Sequence, residues 1–190
     1  LFALNIAKKS KSKRYILCEG YMDVIAMHEA GFDTAVCACG TALTAEQAKL
    51  LSEYADEVVL SYDSDEAGQK ATERSLGIMA NTPMKVSVLS YQGAKDPDEF
   101  IKKYGRERFE MLLNGTANPT EFQLKKAKAK YDLRSDDGRL SYIREAIGIL
   151  TERGVSPTAR DVYAGRLADE TGVSKQAIVS QMQGAVQTAA

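Results

Sequence analysis

The chain reads as an α/β protein in two parts: a parallel-sheet domain with helices on both faces, followed by an all-helical subdomain. Two observations carry this. Between residues 14 and 104, short apolar runs alternate with single amphipathic segments, the pattern of strands joined by helical crossovers in a parallel sheet. Beyond about residue 118 no strand pattern survives, and helical periodicity takes over. With 190 residues, 44% apolar and 27% charged, the chain is long enough for one full domain and a smaller second unit. No apolar run approaches the roughly 18 residues of a membrane span, so no membrane partner is expected.

Taken in order, residues 1–13 read as a basic lead-in, because "KKSKSKR" at 8–14 holds five basic side chains and no acid. The α/β domain is expected over 14–117. "RYILC" (14–18) is its first strand, and a helix over 21–30 stops at Gly31. "TAVCAC" (34–39) is the second strand. Thr44 and Gln47 form a capping-box pattern that opens a helix running to about Tyr54, and "EVVLSY" (57–62) is the third strand. A helix over 66–80 and the strand "MKVSVLS" (84–90) complete the sheet.

The helical subdomain is expected over 118–184. It comprises "PTEFQLKKAKAKY", "GRLSYIREAIGIL" and "PTARDVYAGRLADE", the last opened by Ser156-Pro157, then a helix starting at Ser174. Residues 185–190 read as a frayed tail. The chain starts without Met and reads as a piece of something longer. Three cysteines, Cys18, Cys37 and Cys39, with a single His28 and no C-x-x-C pair, exclude a zinc site and point to a reducing, cytoplasmic setting. His28 reads as a helix-surface position and Tyr21 as a packing aromatic.

A parallel sheet places every strand-to-helix turn on one edge, and ligands bind outside those carboxyl ends. Glu19 ends the first strand, Asp63 and Asp65 end the third, and Asp96 and Asp98 follow the fourth. Asp23 lies in the first turn of the next helix, where it favours the helix N-terminus and faces the same crevice. Carboxylates so close cannot all ionise without raised pKa values or a counter-cation. A hard divalent cation such as Mg²⁺ resolves the conflict, and two such ions suit a phosphoryl displacement. The plainer reading, Asp and Ser as ordinary turn residues, stays open on spacing alone. The loop "CGTALT" shares this edge, where Gly40 and Thr41 offer a phosphate contact.

The segments "EGYMDVIA", "ACGTALT", "YDSDEAG" and "DPDEF", in that order, resemble the Toprim domain of bacterial DNA primases. "KYDLRSDDGRLSYIREA" and "SPTARDVYAGRLADETGVS" are similar to the helical subdomain that follows it. The resemblance implies DNA-templated synthesis of RNA primers by metal-dependent nucleotidyl transfer. It implies Mg²⁺ or Mn²⁺ on Asp63, Asp65, Glu19, Asp96 and Asp98, with Glu19 and Asp23 as catalytic acids. The implied partners are ribonucleoside triphosphates, a single-stranded DNA template touched by Lys9, Lys11, Lys13 and Arg14, and the replicative helicase through a module absent here. It also implies that this piece binds metal but makes primers poorly. Two rivals remain: a Toprim nuclease or topoisomerase, and a non-catalytic metal- or nucleotide-binding module with "ADETGVSKQAI" (168–178) as a helix-turn-helix. Lys175 is the one base there, so a packing hairpin is the better reading of that segment.

Overall fold

The structure, a computed structural model, describes residues 1–38, 40 and 42–189, the last four by backbone alone. The first unit, Leu1–Pro119, contains α1 (Leu4–Ala7), β1 (Arg14–Cys18), α2 (Tyr21–Glu29), β2 (Ala35–Cys37), α3 (Ala45–Ser52), β3 (Glu57–Ser61), α4 (Glu66–Met79), β4 (Lys85–Val88), α5 (Pro97–Tyr104) and α6 (Arg106–Asn114). A second unit from Thr120 onward holds α7 (Pro119–Lys128), α8 (Asp136–Glu152), α9 (Pro157–Thr171) and α10 (Lys175–Ala189). The division falls between Pro119 and Thr120, where the sequence reading put it between 117 and 118.

The four strands are parallel in the order β2-β1-β3-β4. Most of their side chains are apolar and buried on both faces, with Ser61 and Ser87 the buried polar residues among them, as strands covered by helices on either side require. Ile16, Cys18 and Val59 join Val24 and Met27 of α2, Phe100 of α5, and Phe109 and Leu113 of α6 in one core. Their neighbours Tyr15, Leu17, Val58 and Leu60 alternate to the opposite face and are also buried. The chain leaves β1 for β2 in one direction and then returns past β1 to β3. Right-handed crossovers therefore put α2 on one face and α3 and α4 on the other. The strand order reverses between β1 and β3, which is the switch point where such sheets open a crevice.

The helical unit has its own core of Leu124, Tyr142, Ile143, Ile147, Leu150, Leu167, Ile178 and Met182. Ser135 and Ser156 cap α8 and α9 by accepting from the amides of Gly138 and Ala159. Gly172, at φ 72°, ends α9 in the left-handed conformation that glycine tolerates.

Several expectations are corrected. Residues 1–13 are more than a basic lead-in: Ala3 and Ala7 are buried, and the Phe2 amide donates to the Cys37 carbonyl at 2.9 Å. Helix α10 runs to Ala189, into the stretch read as a tail. Helices α5 and α6 occupy 97–114, where the sequence reading named only an acidic motif. Tyr21 is 54% exposed rather than packed, touching Phe2 edge-on, and His28 Nε2 sits 2.9 Å from the Ala35 carbonyl rather than idle on the surface. Among the described residues no helix is long and apolar enough to cross a membrane.

Candidate metal centre

Register pairs Cys18 with Ser61, so β1 and β3 end side by side and deliver Glu19 and Asp63 to adjacent positions. The Asp63 amide donates to Glu19 Oε2 at 3.3 Å, tying the two strand ends together. The turn after β3 folds back tightly on α4. A Cβ on Gly68 would stand 2.2 Å from the Asp63 carbonyl oxygen, so only glycine admits this approach. Asp65 Oδ1 accepts from the Gly68 amide at 2.8 Å as the N-cap of α4, leaving Oδ2 outside that bond.

The fourth strand contributes through its following loop. Ser64 donates from its amide to the Lys95 carbonyl at 2.8 Å, which ties the Asp63–Asp65 turn to the segment before Asp96. Asp96 caps α5, accepting from the Glu99 amide at 2.7 Å. Asp98 pairs with Lys102 at 2.6 Å, one helical turn on. Asp23 Oδ2 accepts from the Gly20 amide at 3.1 Å and closes the first turn of α2.

The electrostatics show these acids acting on one another. Burial pushes the Asp63 carboxyl up to about 6, and repulsion from Glu19, Asp23, Asp96 and Asp65 adds to it. Burial also raises Asp23, against the lowering effect of the Gly20 amide, with Asp96, Glu19 and Asp98 adding repulsion. A divalent cation would relieve this strain, and an all-oxygen donor set suits a hard ion. The acids share an edge rather than one closed sphere: among the described residues no three His, Cys, Asp or Glu side chains stand together as a ready ligand set.

Beside Glu19 opens a cleft of about 330 Å³, lined by Cys18, Glu19, Gly40, Leu43, Arg74 and Ser75 among others. Gly40 has φ 69°, and a Cβ there would meet nothing within 4 Å. Thr41 and Cys39 lie outside the described residues. Arg74 escaped the sequence reading; the signal for it was its spacing from Ala71 and Ser75, which puts all three on one face of α4.

The basic residues divide. Lys9, Lys11 and Lys13 are exposed. Arg14 is half-buried and forms an internal clasp. Its Nη2 donates to the Leu113 carbonyl and to Thr116 Oγ1 (3.1 Å), and its Nη1 to Asn114 Oδ1 (3.4 Å). Its Nε lies 3.4 Å from Glu57 Oε1, close enough for an ion pair without hydrogen-bond alignment. In the second unit Lys175 is held by Asp161 at 2.7 Å.

Residues 16–101 match a family model described as Toprim-like, and residues 120–176 match one described as the DnaB-helicase binding domain of primase. The second match revises the expectation that a helicase-binding module is absent, since it falls on the helical unit itself. The DNA primase of Clostridium acetobutylicum is 37% identical over 94% of this chain and 30% of its own length. That of Enterococcus faecalis is 35% identical over 95% and 29%. The RNA polymerase domain of the Mycobacterium tuberculosis primase in complex with double-stranded DNA aligns at a TM-score of 0.72, 30% identical, over 91% of this chain and 56% of that one. A primase catalytic domain bound to single-stranded DNA aligns at 0.66, 26% identical, over 92% and 56%.

Proposed function

Because the chain belongs to the bacterial DNA primase family, of whose curated members it spans about 30%, we propose that it forms the metal-binding part of a DNA-templated RNA polymerase core. The observation that carries this reading is the shared edge of Glu19, Asp63 and Asp65, joined by the Asp63 amide, where burial first and the neighbouring acids second raise the Asp63 carboxyl. Asp63, the free Oδ2 of Asp65 and Glu19 would hold Mg²⁺ or Mn²⁺, with Asp96 and Asp98 at the far side of the edge. When bound, such an ion stabilises charge on the phosphoryl oxygens and on the attacking hydroxyl. Asp23 fixes the turn that carries Glu19 and adds negative potential behind it. Glu19, exposed and steadied by the Asp63 amide, is positioned to accept a proton from a primer 3′-hydroxyl as that oxygen attacks the α-phosphate of a ribonucleoside triphosphate and pyrophosphate leaves.

The partners follow from the same reading: ribonucleoside triphosphates at the carboxylate edge, and single-stranded DNA along the exposed Lys9, Lys11 and Lys13. The replicative helicase would contact the helical unit, and a replication role of this kind fits the bacterial cytoplasm. The DNA complexes of the structural relatives support the DNA assignment, and the helicase-binding description matched by residues 120–176 supports the helicase assignment.

Titration of the chain with Mn²⁺, followed by the loss of the free-ion electron paramagnetic resonance signal, tests the centre. The wild type is expected to bind, and Asp63→Asn together with Asp65→Asn to weaken binding at least about tenfold, the scale of one lost charged ligand. Unchanged affinity in the double variant would remove these residues from the centre.

A further inference from the structure

Arg74 stands in the wall of two cavities. One is the cleft of about 330 Å³ that also contains Glu19; the other is a groove of about 660 Å³ between α3 and α4. Ala71, Arg74, Ser75 and Ile78 form a single helical stripe along α4, and the two cavities share Arg74 on that stripe. The smaller cleft falls at the low end of the roughly 300 to 1,000 Å³ usual for ligand sites.

The charge of these walls is uneven. The chain carries 26 acids and 25 bases, yet among the described residues lining the groove Lys49 and Arg74 stand without any acid. In the cleft, Glu19 is the sole acid and Arg74 the sole base among the described lining residues. Elsewhere in the chain Arg14, Arg134, Arg139 and Arg166 are tied to carboxylates. Among the described residues no ion pair or hydrogen bond engages the side chain of Arg74 or Lys49. A Cβ at Gly40, across the cleft, would meet nothing within 4 Å.

We infer that the cleft and groove along α4 hold the phosphate chain of a nucleoside triphosphate, or the pyrophosphate released from it, with Arg74 gripping the outermost phosphate. This deepens the reading above and rests on it. The phosphate nearest the carboxylate edge meets the cation there, and the chain then runs away from Asp63 and Glu19 toward cations supplied by the protein. A planar guanidinium with five donors suits a terminal phosphate better than an ammonium does, and Lys49 adds charge further out. Arg74 is a binding residue here, and it takes no part in bond making.

The test is isothermal titration of the Mg²⁺-loaded chain with pyrophosphate and, separately, with a ribonucleoside triphosphate. Mn²⁺ affinity is measured in parallel by electron paramagnetic resonance. Arg74→Ala is expected to weaken both anions by about tenfold to a hundredfold, the range for a lost charge-assisted bond, with Arg74→Lys intermediate and Mn²⁺ affinity unchanged. Equal anion binding by wild type and Arg74→Ala, with Mn²⁺ still bound, would overturn the inference and leave the metal centre standing. Failure of the wild type to bind Mn²⁺ would overturn both. Arg74 is exposed, so far-UV circular dichroism of the variants is expected to match the wild type.

Discussion

The amide of Asp63 donates to Glu19 Oε2, so one acid of the candidate centre is anchored by the backbone of another. This contact crosses the switch point between β1 and β3 and fixes Glu19 without any basic partner. Glu19 and Asp63 are thereby held together as like charges, whereas Asp96 and Asp98 have lysine partners, and stability at the Glu19–Asp63 end suffers in the absence of metal.

Asp63→Asn is expected to stabilise the metal-free chain at pH 7. The native carboxyl titrates near 6, above the ordinary unfolded value, so the folded state binds more protons between about pH 4 and 6 and loses stability as pH rises through that window. Asp63 is partly exposed and solvent screens the repulsion, which reduces the gain to on the order of 1 kcal/mol. Urea melts at pH 7 and pH 3.5 check this: the variant is ahead at the higher pH and level with wild type at the lower.

Gly68→Ala is expected to destabilise by about 1 to 3 kcal/mol, since the new Cβ meets the Asp63 carbonyl and the backbone must move. The same movement displaces Asp63 and Asp65, so Mn²⁺ affinity falls with it. Thermal melting alongside Mn²⁺ titration reads both effects, and a stable variant of unaltered affinity contradicts the tight turn.

Glu170 gives the helical unit an acid-sensitive tie. Burial alone would raise its carboxyl, but the Tyr142 hydroxyl (2.8 Å), Lys128 (3.2 Å) and Arg166 (3.4 Å) together hold it below the usual range. A depressed native value contributes stability that is present above the unfolded value and is lost as pH falls through the native one. Glu170→Gln should therefore cost about 1 to 2 kcal/mol near pH 7 and progressively less below about pH 4. Denaturant melts across that range measure the convergence.

Arg14→Ala is expected to lower stability by about 1 to 3 kcal/mol, or roughly 2 to 4 °C in Tm for each kcal/mol, because it leaves the Leu113 carbonyl and Thr116 without their partner. Replacing Lys9, Lys11 and Lys13 with alanine should instead leave Tm nearly unchanged and flatten the salt dependence of single-stranded DNA binding. The reverse pattern would return Arg14 to the nucleic-acid surface.

Primer synthesis by the 190-residue chain alone is expected to be weak or undetectable even where Mn²⁺ binds. The carboxylate edge is rich in acids, and the exposed bases near the start of the chain are few. Incorporation of labelled ribonucleotides on a single-stranded template measures this, and robust synthesis would contradict it.

The sheet was legible because strands covered on both faces are continuous apolar runs, and each ended at a residue of recognisable turn chemistry. Arg14–Cys18 was placed to the residue on that basis. The acids were legible by position, since strand ends in a parallel sheet share one edge. Their second roles were not. That Asp65 and Asp96 cap helices depends on where α4 and α5 begin, and α5 was hidden behind a motif read only for its acids. Arg14 looked like part of a basic run, because the carbonyl it binds lies 99 positions further along the chain. Arg74 was missed because its spacing from Ala71 and Ser75 gains meaning only from the cavities that meet at it.

The Arg14 clasp has a consequence for how the chain is made. β1 is an interior strand, yet its first residue is secured by Leu113, Asn114 and Thr116, and Ala117 bridges to Val88 at the far edge of the sheet. The first of the four strands to be synthesised thus waits for residues 113–117 before its contacts are complete. During translation the apolar strands of this unit stay unfinished until residue 117 has emerged, and that is the interval in which a nascent chain most needs protection from aggregation.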